Sequence, residues 1–419
     1  MKLPAGLRGA SWSAVDQAIY SLSNVVLAIL VARQVTAEEF GAFSTVYIVY
    51  VCSQGVNEGI HGEAFAVAYS AADEARRRSM LAGAAASALG FGAALGAICV
   101  LAGLVVPGPI GDLLPILGVV LPGLFLQDLW RFALFAEGLP RAAALNDLVW
   151  GGGSTVAIIV LARTPLDTVG WFLFAWGAAG AAAALVGAFQ LRVVPHLGGA
   201  RRWIPDHAHL GLRYAAEFML LYGTTQVVVL FLGAVAGLDE VAKVRGAQIL
   251  FGPIYALYAG VRVAFTPTLV RTHTEAPERT GRLVRLLAAG LGLVTLVWGL
   301  VACNLPDRVG EALLGDTWAG TTTVLGLMTW SAVAGGIGFA FVVGLRAHAA
   351  ARRSLRARGT VAVATLALGC AGALVGAARG AMAGIATAET AGVGVYGRAF
   401  AVTDRDGPAP APETAGDGA

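Results

Sequence analysis

The segment VYIVYVCSQGVNEGIHGEAFAVAYSAADEARRRSM, residues 46–80, opens as a membrane span and closes on three consecutive arginines, Arg76, Arg77 and Arg78. Between those ends Gln54, Asn57, Glu58, His61 and Glu63 interrupt an otherwise apolar run. With Tyr47 and Tyr50, all of these but Glu63 fall at spacings of three and four residues that put them on one helical face and leave the other face greasy. A charge at bilayer depth costs a few kcal/mol on insertion scales, so a stripe of this kind turns to a watery cavity or to other polar groups rather than to lipid.

The rest of the chain has the composition that such a helix needs. Of 419 residues 57% are hydrophobic and 13% charged, against about 25% charged in an ordinary soluble domain. The mean hydropathy is +0.72. These values indicate an integral membrane protein. Ser11 to Ala32 reads as a retained first span, because no short charged region, apolar core and small-residue cleavage site precede it. Cys52, Cys99, Cys303 and Cys370 stand singly in apolar segments, without metal or disulfide spacing, and read as packing residues. A net charge of +3 argues against nucleic acid as a partner, and Lys2 and Lys243 both lie outside any glycine-rich phosphate loop. Neither ATP hydrolysis nor a bound cofactor or metal is expected.

About 20 apolar residues cross the hydrocarbon core, and twelve stretches qualify: 11–33, 41–69, 80–106, 113–137, 142–162, 168–191, 213–236, 244–270, 284–303, 311–345, 359–378 and 380–401. Lys and Arg collect on the cytoplasmic side of a membrane protein. Alternate sides of this arrangement hold 21 and 6 of them, with Arg131 and Arg262 inside spans. Both termini are therefore expected in the cytoplasm. The expected organisation is a cytoplasmic N-terminus (1–10), a six-helix N-lobe (11–192), a cytoplasmic linker (193–212), a six-helix C-lobe (213–401) and a disordered tail (402–419). The loops are short, and no outside loop carries the acidic or His clusters expected of a membrane glycosyltransferase or polymerase. That pattern favours transport over catalysis.

Other spans repeat the polar stripe. The first carries Ser13, Asp16, Gln17, Tyr20 and Asn24, the fourth Gln127, Asp128 and Arg131, and the fifth Asn146 and Asp147. Taken singly, these are structural pairs, such as Asp128 with Arg131 at i,i+3. Taken together, four polar faces at similar depth suggest a shared cavity. Gly151, Gly152 and Gly153 read as helix packing. Sliding the sequence on itself by 201 residues places TAEEFGAF (36–43) on GLDEVAKV (237–244), Asp16 on Glu217, Tyr47 on Gln248, Gln54 on Tyr255, Asn57 on Tyr258 and His61 on Arg262. Two parallel six-helix repeats around a central cavity follow, because six is even. Candidate cavity residues are Gln54, Asn57, His61, Arg131, Tyr255, Tyr258 and Arg262, the arginines suited to phosphate and His61 able to change charge near neutral pH. Asp16, Glu58, Asp128, Asp147 and Glu217 are the candidates for coupling to H⁺ or Na⁺.

The stretches WSAVDQAIYSLSNVVLAILVARQVTAEEFGAF (12–43), VRGAQILFGPIYALYAGVRVAFTPTLVR (244–271) and LLGDTWAG (313–320) resemble actinobacterial members of the Wzx-type polysaccharide flippases. Their superfamily also contains lipid II flippases and multidrug and toxin extruders. The resemblance covers about residues 11 to 400 and implies a non-enzymatic, ion-driven transporter. Its substrate would be a polyprenyl-diphosphate-linked oligosaccharide, flipped to the outer leaflet for cell-surface polysaccharide assembly, with polymerase or ligase machinery as further partners. Twelve spans rather than the fourteen usual in lipid II flippases argue against lipid II itself. An acid in the first span, Asp16, is shared with multidrug extruders, which form the rival reading.

Overall fold

The computed structural model describes residues 5–348 and 350–406, and among these every regular element is a helix. In chain order they are α1 (Ala5–Gln34), α2 (Ala37–Asn57), α3 (Ala64–Ala71), α4 (Glu74–Gly103), α5 (Pro109–Ala136), α6 (Pro140–Leu161), α7 (Val169–Leu191), α8 (Leu197–Phe218), α9 (Thr224–Ala236), α10 (Leu238–Leu250), α11 (Gly252–Glu275), α12 (Pro277–Cys303), α13 (Asp307–Leu314), α14 (Thr317–Ala347) and α15 (Ala351–Asp406). One π-helical segment, Glu58–Glu63, joins α2 to α3, and another, Met219–Gly223, joins α8 to α9. In α15 the backbone leaves helical geometry at Gly376 and Ala377, which makes two arms of it. On either side of that turn Gly372 and Gly380 approach so closely that a Cβ on either would strike the other's backbone, so the arms fold back on each other.

Each of the twelve expected spans therefore has its helix: α1, α2 with α3, α4, α5, α6, α7, α8 with α9, α10 with α11, α12, α14 and the two arms of α15. Seven of the described helices are by themselves long and apolar enough to cross a bilayer, or eight if α10 and α11 form one span. The other spans fall short because polar stripes or breaks interrupt them. The expected disordered tail falls mostly on 407–419, outside the described residues, and helix persists to Asp406.

Local sequence explains where the helices start and stop. Thr36 caps α2 with a reciprocal box: its Oγ1 accepts from Glu39 N–H, and its own N–H donates to Glu39 Oε2 at 2.9 Å. Prolines open α5, α6 and α12, where the missing N–H is not needed. α2 and α10 begin at Ala37 and Leu238, 201 residues apart, each with two acids in its first turn, Glu38 and Glu39 or Asp239 and Glu240. Acids there complement the positive end of the helix dipole.

The chain resolves into two compact units. The first comprises residues through Ile249 with Pro306–Thr321, the second Leu250–Leu305 with the chain from Thr322 onward. Small residues bring helices of the first unit together: Gly96 of α4 against Gly118 of α5, Gly177 of α7 against Val120 of α5, and Gly151 of α6 against Ser23 of α1. The Gly151 contact is the helix packing expected of the triple glycine, while Gly152 and Gly153 meet far looser surroundings. A core of Phe65, Tyr69, Leu81, Leu126, Trp130 and Trp203 gathers α3, α4, α5 and α8. In the second unit Leu269, Val284, Val343, Leu345 and Phe400 pack the ends of α11, α12, α14 and α15 together.

Residues 193–212, expected as a linker, are largely helical. The first half of α8 lies against α4 and the Glu58–Glu63 π turn, with Gly199 on Gly83, Gly211 on Ile60, and Trp203 Nε1 donating to Ile60 O at 3.1 Å.

Candidate functional site: a buried polar network

The stripes of α1, α2, α5 and α6 meet inside the first unit. Arg131 of α5 is the centre of one half of that meeting. Its Nη2 and Nε donate to Asp16 Oδ2 at 2.9 and 3.1 Å, Nε lies 3.3 Å from Asp147 Oδ2, and Nη2 also reaches Gln17 Oε1 at 3.3 Å. The guanidinium carbon sits 4.7 Å from the Tyr20 ring centroid, a cation–π contact. Asp128, expected as the i,i+3 partner of Arg131, forms no ion pair with it. One guanidinium instead joins α5 to α1 and α6.

Behind Arg131, Gln127 Nε2 donates to Asp147 Oδ1 at 3.0 Å and to Asn146 Oδ1 at 3.3 Å, and Asn146 Nδ2 donates to Ala183 O and to Gln190 Oε1 of α7. Asp16 Oδ1 is enclosed without a hydrogen bond. A cavity of about 10 Å³, lined by Tyr20, Ser23, Asn24, Asp147, Trp150, Gly151, Ser154 and Trp176, lies beside Asp147. That is about the smallest space that admits a water molecule.

The other half is built on α2 and its π turn. Gln54 Nε2 lies 3.2 Å from Tyr20 OH, 3.2 Å from Asp128 Oδ1 and 3.3 Å from Glu58 Oε1. Asn57 Nδ2 donates to Asp128 Oδ2 at 3.1 Å and Phe125 O at 3.3 Å. His61 is fully enclosed, with Nδ1 2.9 Å from Asn57 Oδ1 and Nε2 3.0 Å from Ser87 Oγ of α4. The Glu58 and Asp128 carboxyl groups both lie within hydrogen-bond reach of the one Gln54 amide nitrogen. The π turn makes this possible: one wider turn re-aims Glu58 and His61 while keeping both on the inner side of α2. Gly59 and Gly62 within it leave room for Ala215 and for the Phe132 ring.

Eight of the twelve candidates, Asp16, Gln54, Asn57, Glu58, His61, Asp128, Arg131 and Asp147, thus join one network. Glu217 lies on α8, outside these hydrogen bonds. Tyr255, Tyr258 and Arg262 lie on α11 in the second unit. Tyr258 is buried, its hydroxyl 2.6 Å from Thr295 Oγ1 and 3.0 Å from Ala332 O. Tyr255 is half-exposed and its hydroxyl faces Met328 Sδ at 3.8 Å. Among the described residues no ion pair involves Arg262.

Sequence reading missed Ser87 and Gln190. Ser87 stands in an alanine-rich span whose period does not single it out. Gln190 falls at a span end.

No protein-family model matches the chain, and no curated protein does. Solved structures match it along nearly its whole length. An inward-facing multidrug resistance MATE family transporter of the MOP superfamily shares 14% identity over 94% of this chain and 99% of its own, with a TM-score of 0.66. The lipid II flippase MurJ, in an inward closed conformation, shares 11% identity over 94% of this chain and 90% of its own, at a TM-score of 0.72. An outward-facing multidrug resistance MATE family transporter gives 14% identity, 96% of both chains and a TM-score of 0.61. What these proteins share with the chain is the fold: a multi-pass, all-helical membrane fold of the kind seen in MATE transporters and in a lipid II flippase.

Proposed function

We propose that this protein is an alternating-access transporter that flips a polyprenyl-diphosphate-linked oligosaccharide from the cytoplasmic to the outer leaflet, driven by an ion gradient, in a bacterial plasma membrane. Polysaccharide polymerase or ligase machinery would then take the glycan outside. The observation that carries this reading is Arg131, a guanidinium held inside the first unit by Asp16 and Asp147. A diphosphate would compete with those carboxylates for the same donors, since guanidinium binds carboxylate and phosphate in the same bidentate way. The acids it released would need a replacement counter-charge, and a proton or inorganic cation taken from the gradient would supply it. Arg262, without an ion-pair partner among the described residues, is the second candidate phosphate ligand.

The excess of acids supports a second reading. Of the four acids Asp16, Glu58, Asp128 and Asp147 only Asp16 and Asp147 pair with the guanidinium of Arg131, and an extruder of organic cations would use such acids to bind its cargo. Depletion of the protein in its host, followed by leaflet-resolved quantification of polyprenyl-diphosphate glycans, separates the two. A complete oligosaccharide trapped in the cytoplasmic leaflet supports the flippase; unchanged lipid-linked glycan removes it and leaves the extruder.

A further inference from the structure

The first half of α8 has three distinct sides, because residues on a helix advance by about 100° each. One side, with Gly199, Trp203, Gly211 and Ala215, is packed on Gly83 of α4 and on Gly59 and Ile60 of the π turn. A second is apolar and uncovered: Leu197 is 80% exposed, Leu212 63% and Ile204 44%. The third carries Arg202, Asp206, His209 and Arg213, and Arg201 borders the apolar side, all of them exposed. Among the described residues none of these three arginines forms an ion pair.

The helices that α8 touches fix its depth. From Gly83 to the end of α4 at Gly103, and from the start of α2 at Ala37 to Ile60, each chain segment rises roughly 30–35 Å, about the thickness of the hydrocarbon core. The contact points of α8 therefore lie at one edge of the bilayer. That edge is the one where α4 begins with Arg76, Arg77 and Arg78, the arginine-rich and hence cytoplasmic side. The contacts also fix its direction. His61 Nε2 lies 3.0 Å from Ser87 Oγ, so Ile60 and Gly83 stand within roughly 6 Å of one level, whereas the chain from Gly199 to Gly211 extends about 18 Å. The first half of α8 thus runs along the membrane surface more nearly than across it.

We propose that this half of α8 is a lipid-binding helix. Its apolar side seats at the acyl boundary of the cytoplasmic leaflet, and Arg201, Arg202 and Arg213 bind anionic phospholipid headgroups there. Unpaired guanidinium groups match headgroup phosphate, and an arginine beside an apolar strip reaches headgroup level along its stem. A protein partner would have to cover Leu197, Ile204 and Leu212 at a depth that acyl chains already occupy. Trp203 Nε1 donates to Ile60 O at 3.1 Å and Gly211 bears on Ile60. Lipid that steadies α8 thereby steadies the π turn that aims Glu58 and His61, whichever cargo is carried.

Hydrogen exchange on the purified full-length protein tests this, in nanodiscs of phosphatidylcholine alone and with increasing phosphatidylglycerol. Exchange over 197–212 and 58–63 should slow as phosphatidylglycerol rises and should recover in about 1 M NaCl, where the screening length is about 3 Å. The slowing should be lost when Arg201→Gln, Arg202→Gln and Arg213→Gln are combined, with 317–347 unchanged throughout. Each single substitution should raise the phosphatidylglycerol fraction needed for half of the effect, since one arginine at an anionic surface strengthens attachment about fivefold. Exchange that ignores phosphatidylglycerol, slowing that survives the salt or the triple variant, or the same slowing from inorganic phosphate in phosphatidylcholine discs would each overturn the lipid site. So would protection in detergent that grows with protein concentration, as a second copy on this face would give. Slowing confined to 197–212 would overturn the link to the π turn. No glycan enters the measurement, so its failure and that of the flippase reading are separate.

Discussion

Arg131 is bound to two carboxylates from two different helices, and its removal leaves both buried without a counter-charge. Breaking a buried pair of this kind costs about 3–5 kcal/mol, so Arg131→Gln should lower the thermal unfolding midpoint in detergent far more than a surface change. Asp16→Asn combined with Arg131→Gln should cost less than the two single changes added, by roughly 0.5–3 kcal/mol; strict additivity in the same melts would mean that the pair contributes nothing. Arg262 is the contrasting case. Arg262→Ala should leave protein abundance at wild type and abolish glycan export, and normal export by that variant would remove Arg262 from the site. The stripe through Gln54, Asn57 and Glu58 was readable because helical period alone puts such residues on one face. Their partners were not: that Arg131 prefers Asp16, 115 residues away, to Asp128 one turn away depends on how α1 and α6 stack, which period does not encode.

Helix boundaries came out of hydropathy because the bilayer fixes span length, but irregularities inside spans did not. A π turn adds one residue to a turn and changes neither composition nor length enough to register. The first half of α8 was also hidden: RRWIPDHAH (201–209) looks like a polar linker, and it is helical because Trp203 and two glycines fit the surface of α4 and the π turn. At the turn within α15, Ala377 has φ 46° and ψ −133°, a region that glycine occupies without strain. Ala377→Gly should raise stability by about 1 kcal/mol, seen as a higher melting midpoint; a fall would show that the turn is held by the Ala377 methyl. Where α11, α14 and α15 end, beyond the apolar stretches, the His273 and His348 rings lie 4.0 Å apart and His348 Nε2 is 3.3 Å from Asp404 Oδ1, with Arg285 near the same carboxylate. Burial, then the neighbouring His348, holds the His273 imidazole below its ordinary range. A depressed imidazole favours the packed state while neutral, so that contribution is present above the ordinary value of about 6.5 and is lost as pH falls below it. Hydrogen exchange at these three helix ends should therefore quicken at acidic pH in the wild type and lose that acceleration in His273→Gln; identical profiles would sink the idea.

For the molecule as a whole, the arginine asymmetry remains the guide to orientation. Fusions after Arg405 should yield a fluorescent cytoplasmic reporter and an inactive periplasmic phosphatase, and the reverse would overturn the orientation expected from the arginines. The repeat was visible because both halves start their second span with an acidic first turn 201 residues apart. What surrounds the charges of the first unit was not visible: Arg131 with Asp16 and Asp147, and the amides of Gln54, Asn57 and Gln127 on the neighbouring carboxylates. The polar stripe of the second span also bears on biogenesis. A helix carrying Gln54, Asn57, Glu58 and His61 gains little by entering lipid alone, and the residues that satisfy it, Ser87 and Asp128, are synthesised later. The ribosome must therefore have delivered α4 and α5 before the second span can settle. Integration of the first unit is a cooperative event, and the nascent chain waits at the translocon with its earliest helices still uncommitted.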